Sequence, residues 1–210
     1  MRIYTFIPSY AQGGVAVGDL GAAYNQCMNL IGKDDWACFI DHDAMFTTVK
    51  WWQQITSIVE ESEGKVGLYT CMTNAVACNY QVPTQVLPRT LDYYYHRSLG
   101  QDLESENWLK VVDVTDYSSF GGNLPISGVL MLTSYKAWRE VGGFDSGFLG
   151  VDNDYHRRIA KAGLEVRLML GVYVMHWYRS LKCDGREFPE PKSKEVHHEG
   201  RTGNQEITQA

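Results

Sequence analysis

The sequence predicts an α/β fold: a sandwich of helices around a mostly parallel central sheet. Two observations carry this. Trp36–Ile40 (WACFI) is a continuous apolar run of strand length and Val66–Cys71 another buried-type strand, the pattern of strands covered on both faces. Between such runs lie segments with apolar residues at helical spacing, so strand and helix alternate. The scale agrees: 210 residues suit one globular domain, and 44% hydrophobic with 21% charged residues is an ordinary balance for a folded chain.

In chain order, Arg2–Pro8 alternates polar and apolar residues and predicts a strand ending in a loop. Ser9–Gly18 carries three glycines and no periodicity. Asp19 stands where an N-cap belongs; Leu20, Ala23, Tyr24, Cys27, Met28 and Ile31 follow at helical spacing, and Gly32 closes the helix. Thr47 or Thr48 can cap a second helix from Val49 to about Glu61. Residues 72–125 predict loops, a short helix and a strand near Lys110–Val114. Ser127–Thr133 (SGVLMLT) predicts a strand, Ser134–Val141 a short helix, and Asp154–Ala162 a third helix with Gly163 at its C′ position. Glu165–Leu170 and Val172–Met175 predict two strands. Beyond about Leu181 the chain is polar and aperiodic, as a surface tail would be.

Composition excludes several classes. The formal net charge of −6 gives no general footprint for nucleic-acid backbones. The longest apolar candidate, Leu168–Tyr178, is about half the ~20 residues of a membrane helix. The N-terminus enters a strand pattern with no apolar leader, and five cysteines form no CxxC pair. A cytoplasmic location without stable membrane insertion is expected.

In an open α/β sheet, ligands bind at the carboxyl ends of the strands, so the polar residues there carry the chemistry. Asp41-His42-Asp43 follows the Trp36–Ile40 strand. Two carboxylates one residue apart can hold a hard divalent cation and leave its other positions open. A second group is Gly142-Gly143-Phe144-Asp145 with Phe148-Leu149-Gly150-Val151-Asp152-Asn153-Asp154, then Arg157-Arg158, which sets Asp152 and Asp154 at a helix start. The third is His176, directly after a strand and before Trp177, where a neutral imidazole can serve as a metal ligand. The 13 tyrosines and 6 tryptophans, among them Tyr93–Tyr95, Trp108 and Trp177, supply ring faces that either pack in the core or stack on a sugar. Arg89, Arg97 and Arg179 are candidates for phosphate contact.

Together these signals resemble glycosyltransferases of the GT-A fold, of the inverting family 2 kind, over roughly residues 2–43 and 127–180. The DxD motif of that family appears as Asp41-His42-Asp43, its GGFD block as Gly142–Arg158, and its helix before the DxD strand as Leu20–Asn25. The resemblance implies a GT-A-like (Rossmann-like) domain over 1–180, with 1–43 as the nucleotide part, 44–180 as the acceptor and catalytic part, and 181–210 as a tail. It implies transfer of a sugar from a nucleotide diphosphate sugar to a hydroxyl on a glycan, lipid-linked saccharide, protein or modified nucleic acid. Asp152 would be the catalytic base, and Asp41, Asp43 and His176 would hold Mn²⁺ or Mg²⁺. Donor contacts would come from Pro8, Ser9, Tyr10, Asn25, Asp41, His42, Asp43 and Gly128, and acceptor contacts from Gly143, Asp154 and Trp177.

Two departures stand out. No Asp-Asp-Gly-Ser type turn follows a second strand, so the nucleotide half is abridged and Ser9, Tyr10 or Gln12 would hold the base. The acid that precedes the catalytic aspartate in the family is Val151 here, so the pair is reduced to one carboxylate, with Asp154 as the candidate substitute. Two other readings share parts of the pattern. A nucleotidyltransferase would put a basic residue in its glycine loop, and Gln12–Gly18 has none. An inert carbohydrate-binding or structural module would keep the fold without turnover.

Overall fold

The computed structural model describes residues 1–8, 18–62, 64–87, 90–122 and 124–177, together with the backbone of 182–183 and 186–187. The chain divides into two compact units, Met1–Ser180 and Leu181–Ala210. In the second, β8 (Lys182–Cys183) pairs antiparallel with β9 (Arg186–Glu187). The tail expectation otherwise lies outside the described residues.

The first unit is built on a seven-stranded sheet of β1 (Ile3–Phe6), β2 (Trp36–Ile40), β3 (Ala44–Phe46), β4 (Val66–Thr73), β5 (Val111–Asp113), β6 (Leu130–Ser134) and β7 (Glu165–His176). The order is β1-β2-β6-β4-β7-β3, with β5 also against β7. β1–β2 and β4–β7 are parallel, whereas β2–β6, β4–β6, β3–β7 and β5–β7 are antiparallel. The expected mostly parallel sheet is therefore a mixed one. Covered strands read as apolar runs whichever way their neighbours point, so the runs reported burial and not direction.

β2 shows how the sequence makes the two layers. All five of its residues are buried. Ala37 and Phe39 enter one core, with α1 (Leu20–Met28), α3 (Tyr93–Glu106), α4 (Tyr135–Glu140) and α5 (Val151–Lys161). Trp36, Cys38 and Ile40 enter the other, against Ile55, Ile58 and Val59 of α2 (Trp51–Glu60). This is the period-2 alternation of a central strand.

Asp19 caps α1 as expected, accepting from Ala22 N at 2.8 Å, but the helix ends at Met28, before Gly32. α2 starts at Trp51 behind Lys50 and has no side-chain cap from Thr47 or Thr48. The two expected final strands are one. Gly171, which would separate them, sits at a register shift against β4, where an added Cβ would come within 2.5 Å of Asn107 O. The short helix expected between 72 and 125 is the fourteen-residue α3. Among the described residues no helix is long and apolar enough to cross a membrane.

Candidate active site

Three distant stretches meet at one end of the sheet. Where β2 runs out, Asp41–Ala44 turns back, with Ala44 N donating to Asp41 O at 3.1 Å. The chain then enters β3, whose register sets Ala44 opposite His176, the last residue of β7. Asp43 is thereby carried alongside the His176 ring. Asp43 Oδ1 is 3.3 Å and Asp41 Oδ2 3.9 Å from His176 Nε2.

The surroundings fix the imidazole. His176 is 5% exposed. Its Nδ1 lies 2.9 Å from Ala75 O, and a carbonyl can only accept, so Nδ1 carries the proton. In the neutral ring this turns the Nε2 lone pair toward the two carboxylates. Asn74 grips the backbone on both sides: His176 N donates to Asn74 Oδ1 at 2.6 Å, and Asn74 Nδ2 donates to His176 O at 3.0 Å. Ligand atoms of Asp41, Asp43 and His176 all lie within 4.8 Å of one another. A hard oxygen pair plus one oriented imidazole nitrogen fits a divalent cation, and the Ala75 carbonyl is the outer partner such a histidine needs.

The acids respond to this crowding. Burial pushes the Asp41 carboxyl up to about 6; the neighbouring His176 opposes this, and Asp43 and Asp152 add to it. When His176 is protonated, its Nε2 donates to Asp43, and this hydrogen bond holds the Asp43 carboxyl below its usual value. Burial alone would lower the His176 pKa, but Asp43, Ala75 O and Asp41 together raise it.

Asp152 arrives from the other side, in the first turn of α5, whose N-cap is Gly150 at φ +79°. Neither Asp152 nor Asp154 is the cap. Asp152 Oδ2 accepts from Gly128 N at 2.6 Å and Oδ1 from Asn153 N at 2.9 Å. Burial raises its pKa against these two donors. The same helix binds the loop before β6 further. Asn153 Nδ2 donates to Ile126 O at 2.6 Å, and His156 Nδ1 accepts from Ile126 N at 3.4 Å. Fully buried Gln81 takes Ser127 N on its Oε1 at 2.6 Å and donates to Ser127 O at 3.3 Å. The polar backbone of residues 126–128 is thus held almost entirely by side chains, and Gly128 is fixed against Asp152. An added Cβ on Gly128 would lie 3.0 Å from Asp152 Cβ.

Asp41, His42, Asp43, Asp152 and His176 line one cavity of about 400 Å³, as do Pro8, Tyr24, Ser127 and Gly128. That volume accommodates a small-molecule ligand. Other expected contacts lie elsewhere. Asn25 Oδ1 accepts from Trp138 Nε1 at 2.8 Å and Phe144 N at 2.9 Å, while its Nδ2 donates to Phe144 O at 2.7 Å. Gly143, at φ +86°, packs on that amide, where a Cβ would fall 2.9 Å from Asn25 Oδ1. Asp154 pairs with Arg158 at 2.7 Å. Trp177 is half-buried beside the site, its N–H donating to Asp43 O at 2.9 Å. None of these four lines the cavity, nor do Tyr93–Tyr95, Arg97 or Trp108. Ser9, Tyr10, Gln12, Arg89 and Arg179 lie outside the described residues. Sequence reasoning missed Asn74, Gln81, Asn153 and His156 as supports of the site, because their partners lie far along the chain. It took Tyr24 as packing alone.

An α/β sheet thus gathers two carboxylates, an imidazole and a separate buried aspartate on one cavity, an arrangement chemically able to hold a cation and to exchange a proton. The family model for glycosyl transferase family group 2 matches residues 69–203. More than half of the chain is covered, and the chain belongs to that family. The matched span includes Asp152 and His176 and leaves out the Asp41–Asp43 turn. No curated protein matches the chain. Membership makes glycosyl transfer the class of activity, with a GT-A-like fold on a mixed sheet.

Proposed function

We propose that the chain transfers a sugar from a nucleoside diphosphate sugar to a hydroxyl acceptor, with inversion. The observation that carries the reading is the convergence of Asp43, His176 and Asp152, from three distant stretches, on one cavity. Asp41, Asp43 and His176 are the residues that would hold Mn²⁺ or Mg²⁺; bound there, the ion supplies Lewis-acid neutralisation of the diphosphate. Pro8, His42 and Gly128 border the donor, and residues 1–43 contribute the nucleotide side.

Asp152 removes the acceptor hydroxyl proton. The acceptor oxygen then bonds to the anomeric carbon as the bond from that carbon to the diphosphate oxygen breaks, and the nucleoside diphosphate leaves. Burial makes Asp152 a stronger base than a solvated aspartate, while Gly128 N and Asn153 N keep it oriented. With one carboxylate in place and Val151 before it, proton transfer falls to Asp152 alone.

The test is Asp152→Asn, assayed for release of nucleoside diphosphate from UDP- and GDP-sugars. Turnover falls about 10²–10⁴-fold, while calorimetry shows Mn²⁺-dependent binding of UDP or GDP unchanged. Near-normal turnover removes Asp152 from the role. Nucleotide affinity that ignores Mn²⁺ removes the cation from the site.

A further inference from the structure

Tyr24 lines the cavity, and among the described residues its hydroxyl makes no structural hydrogen bond. It is 2% exposed, yet its side chain lines the cavity. Its ring is fixed: the centroids of Phe39 and Phe144 lie 4.6 Å and 4.9 Å away. α1 itself is pressed so closely on the loop after β6 and α4 that a Cβ at Gly21 would meet Asp145 O at 1.7 Å. The ring therefore has little room to move. The Tyr24 hydroxyl has no hydrogen-bond partner among the described residues, and it is not among their buried unpaired side-chain atoms, so its oxygen opens onto the cavity, where a ligand can reach it.

The neighbours define what that ligand offers. Burial, then the charges of Asp41 and Asp152, hold the phenol pKa well above its ordinary value, so the group stays an O–H donor. The two ionised acids only accept. A sugar hydroxyl donates one proton and accepts on its oxygen, so it needs one acceptor and one donor at this place. On the glycosyl-transfer reading the transferred sugar lies between the diphosphate end, at Asp41, Asp43 and His176, and the base Asp152, in the cavity that Tyr24 also lines.

The geometry points to Tyr24 as a specificity-determining residue that donates its phenolic O–H to a hydroxyl of the transferred sugar. This rests on the glycosyl-transfer reading above and deepens it. The contact selects for a sugar with a hydroxyl at that position, because a deoxy position would leave the phenolic O–H without that acceptor.

The experiment is Tyr24→Phe, which keeps the ring against Phe39 and Phe144 and removes one oxygen. Calorimetry with Mn²⁺ compares UDP with UDP-glucose, UDP-galactose and UDP-N-acetylglucosamine, and GDP with GDP-mannose. Wild type binds at least one nucleotide sugar more tightly than its bare nucleotide. In the variant that sugar increment drops by roughly 3–10-fold, the bare nucleotide binds as before, and the melting temperature without ligand holds. An unchanged increment overturns the inference alone, as does equal weakening of nucleotide and nucleotide sugar. Wild-type protein that binds no nucleotide sugar overturns the glycosyl-transfer reading, and this inference with it.

Discussion

Two stretches of the molecule carry the motifs, and they use them differently. At the sheet mouth, Asp41, Asp43 and His176 turn their reactive atoms toward one another and the cavity. Between Gly142 and Arg158, most of the motif holds the molecule together. Arg158 Nη1 donates to Val141 O at 3.1 Å and Gly143 O at 2.6 Å, and its Nε to Asp154 Oδ2 at 2.7 Å. Asp19 binds Gly147 N at 3.0 Å and Ser146 Oγ, which fastens α1 to the same loop. From that block, the acid that enters the cavity is Asp152. A motif read by spacing therefore mixes residues that do chemistry with residues that aim them.

The largest test of this division is Asn25→Ala. It leaves Trp138 Nε1, Phe144 N and Phe144 O without partners in a part-buried place. Orphaned polar groups cost about 1–3 kcal/mol each when buried, and solvent recovers part of this, so a loss of about 2–4 kcal/mol is expected. Denaturant unfolding measures it. Mn²⁺-dependent nucleotide affinity of the folded variant stays near that of wild type. A variant of full stability that no longer binds nucleotide would move Asn25 from the scaffold into the site.

His156 tests the seam between the two stretches. Its Nε2 lies 3.1 Å from Thr115 O and so carries the proton, while Nδ1 accepts from Ile126 N. The bond that Nδ1 accepts needs the neutral ring, whereas the donation from Nε2 survives protonation. Burial, with Arg157 nearby, lowers its pKa against the Thr115 hydrogen bond. A depressed folded pKa means that this stability is present above the unfolded value near 6.5 and is lost as pH falls through the folded one. As pH falls below about 6.5, this one group makes the folded state weaker by at most about 1.4 kcal/mol per pH unit until the folded pKa is passed. His156→Gln, which has a donor and an acceptor but no charge, flattens that part of the profile. An equally steep decline in the variant would clear His156 of the effect.

How much of this was legible follows from where each signal is written. β2 was readable to the residue because burial on both faces forces a continuous apolar run. Asp41, Asp43 and His176 stood out as polar residues at the ends of such runs. α3 was not readable at its true length. Its buried positions, 96, 99, 100 and 103, have helical spacing, but a histidine and a glycine fill two of them, so apolar periodicity is hidden. The antiparallel β6 escaped because direction is a property of the pairing. The role of Asn25 escaped because its partners lie 113 and 119 residues away.

The smallest effect separates the two stretches most sharply, because its sign changes with metal. Burial raises Asp41 from an ordinary 3.8 to about 6. A raised carboxyl contributes its stability below the unfolded value and loses it as pH rises through the folded one. At pH 8 without metal, the ionised carboxylate therefore weakens the fold, and Asp41→Asn unfolds later than wild type. The side chain is 34% exposed, so solvent screening holds the gain under about 1 kcal/mol. Near pH 4 the difference closes, because wild type is then protonated there as well. With saturating Mn²⁺ the order reverses, since the ion stabilises the folded protein in proportion to how well three ligands hold it and the variant keeps two of them. Scaffold residues such as Asn25 show no reversal: their loss weakens the fold with or without metal. Melting curves at pH 8, with Mn²⁺ and with chelator, decide the matter. An Asp41→Asn variant that melts earlier than wild type in chelator would place Asp41 with the scaffold and confine the chemistry to Asp43, His176 and Asp152.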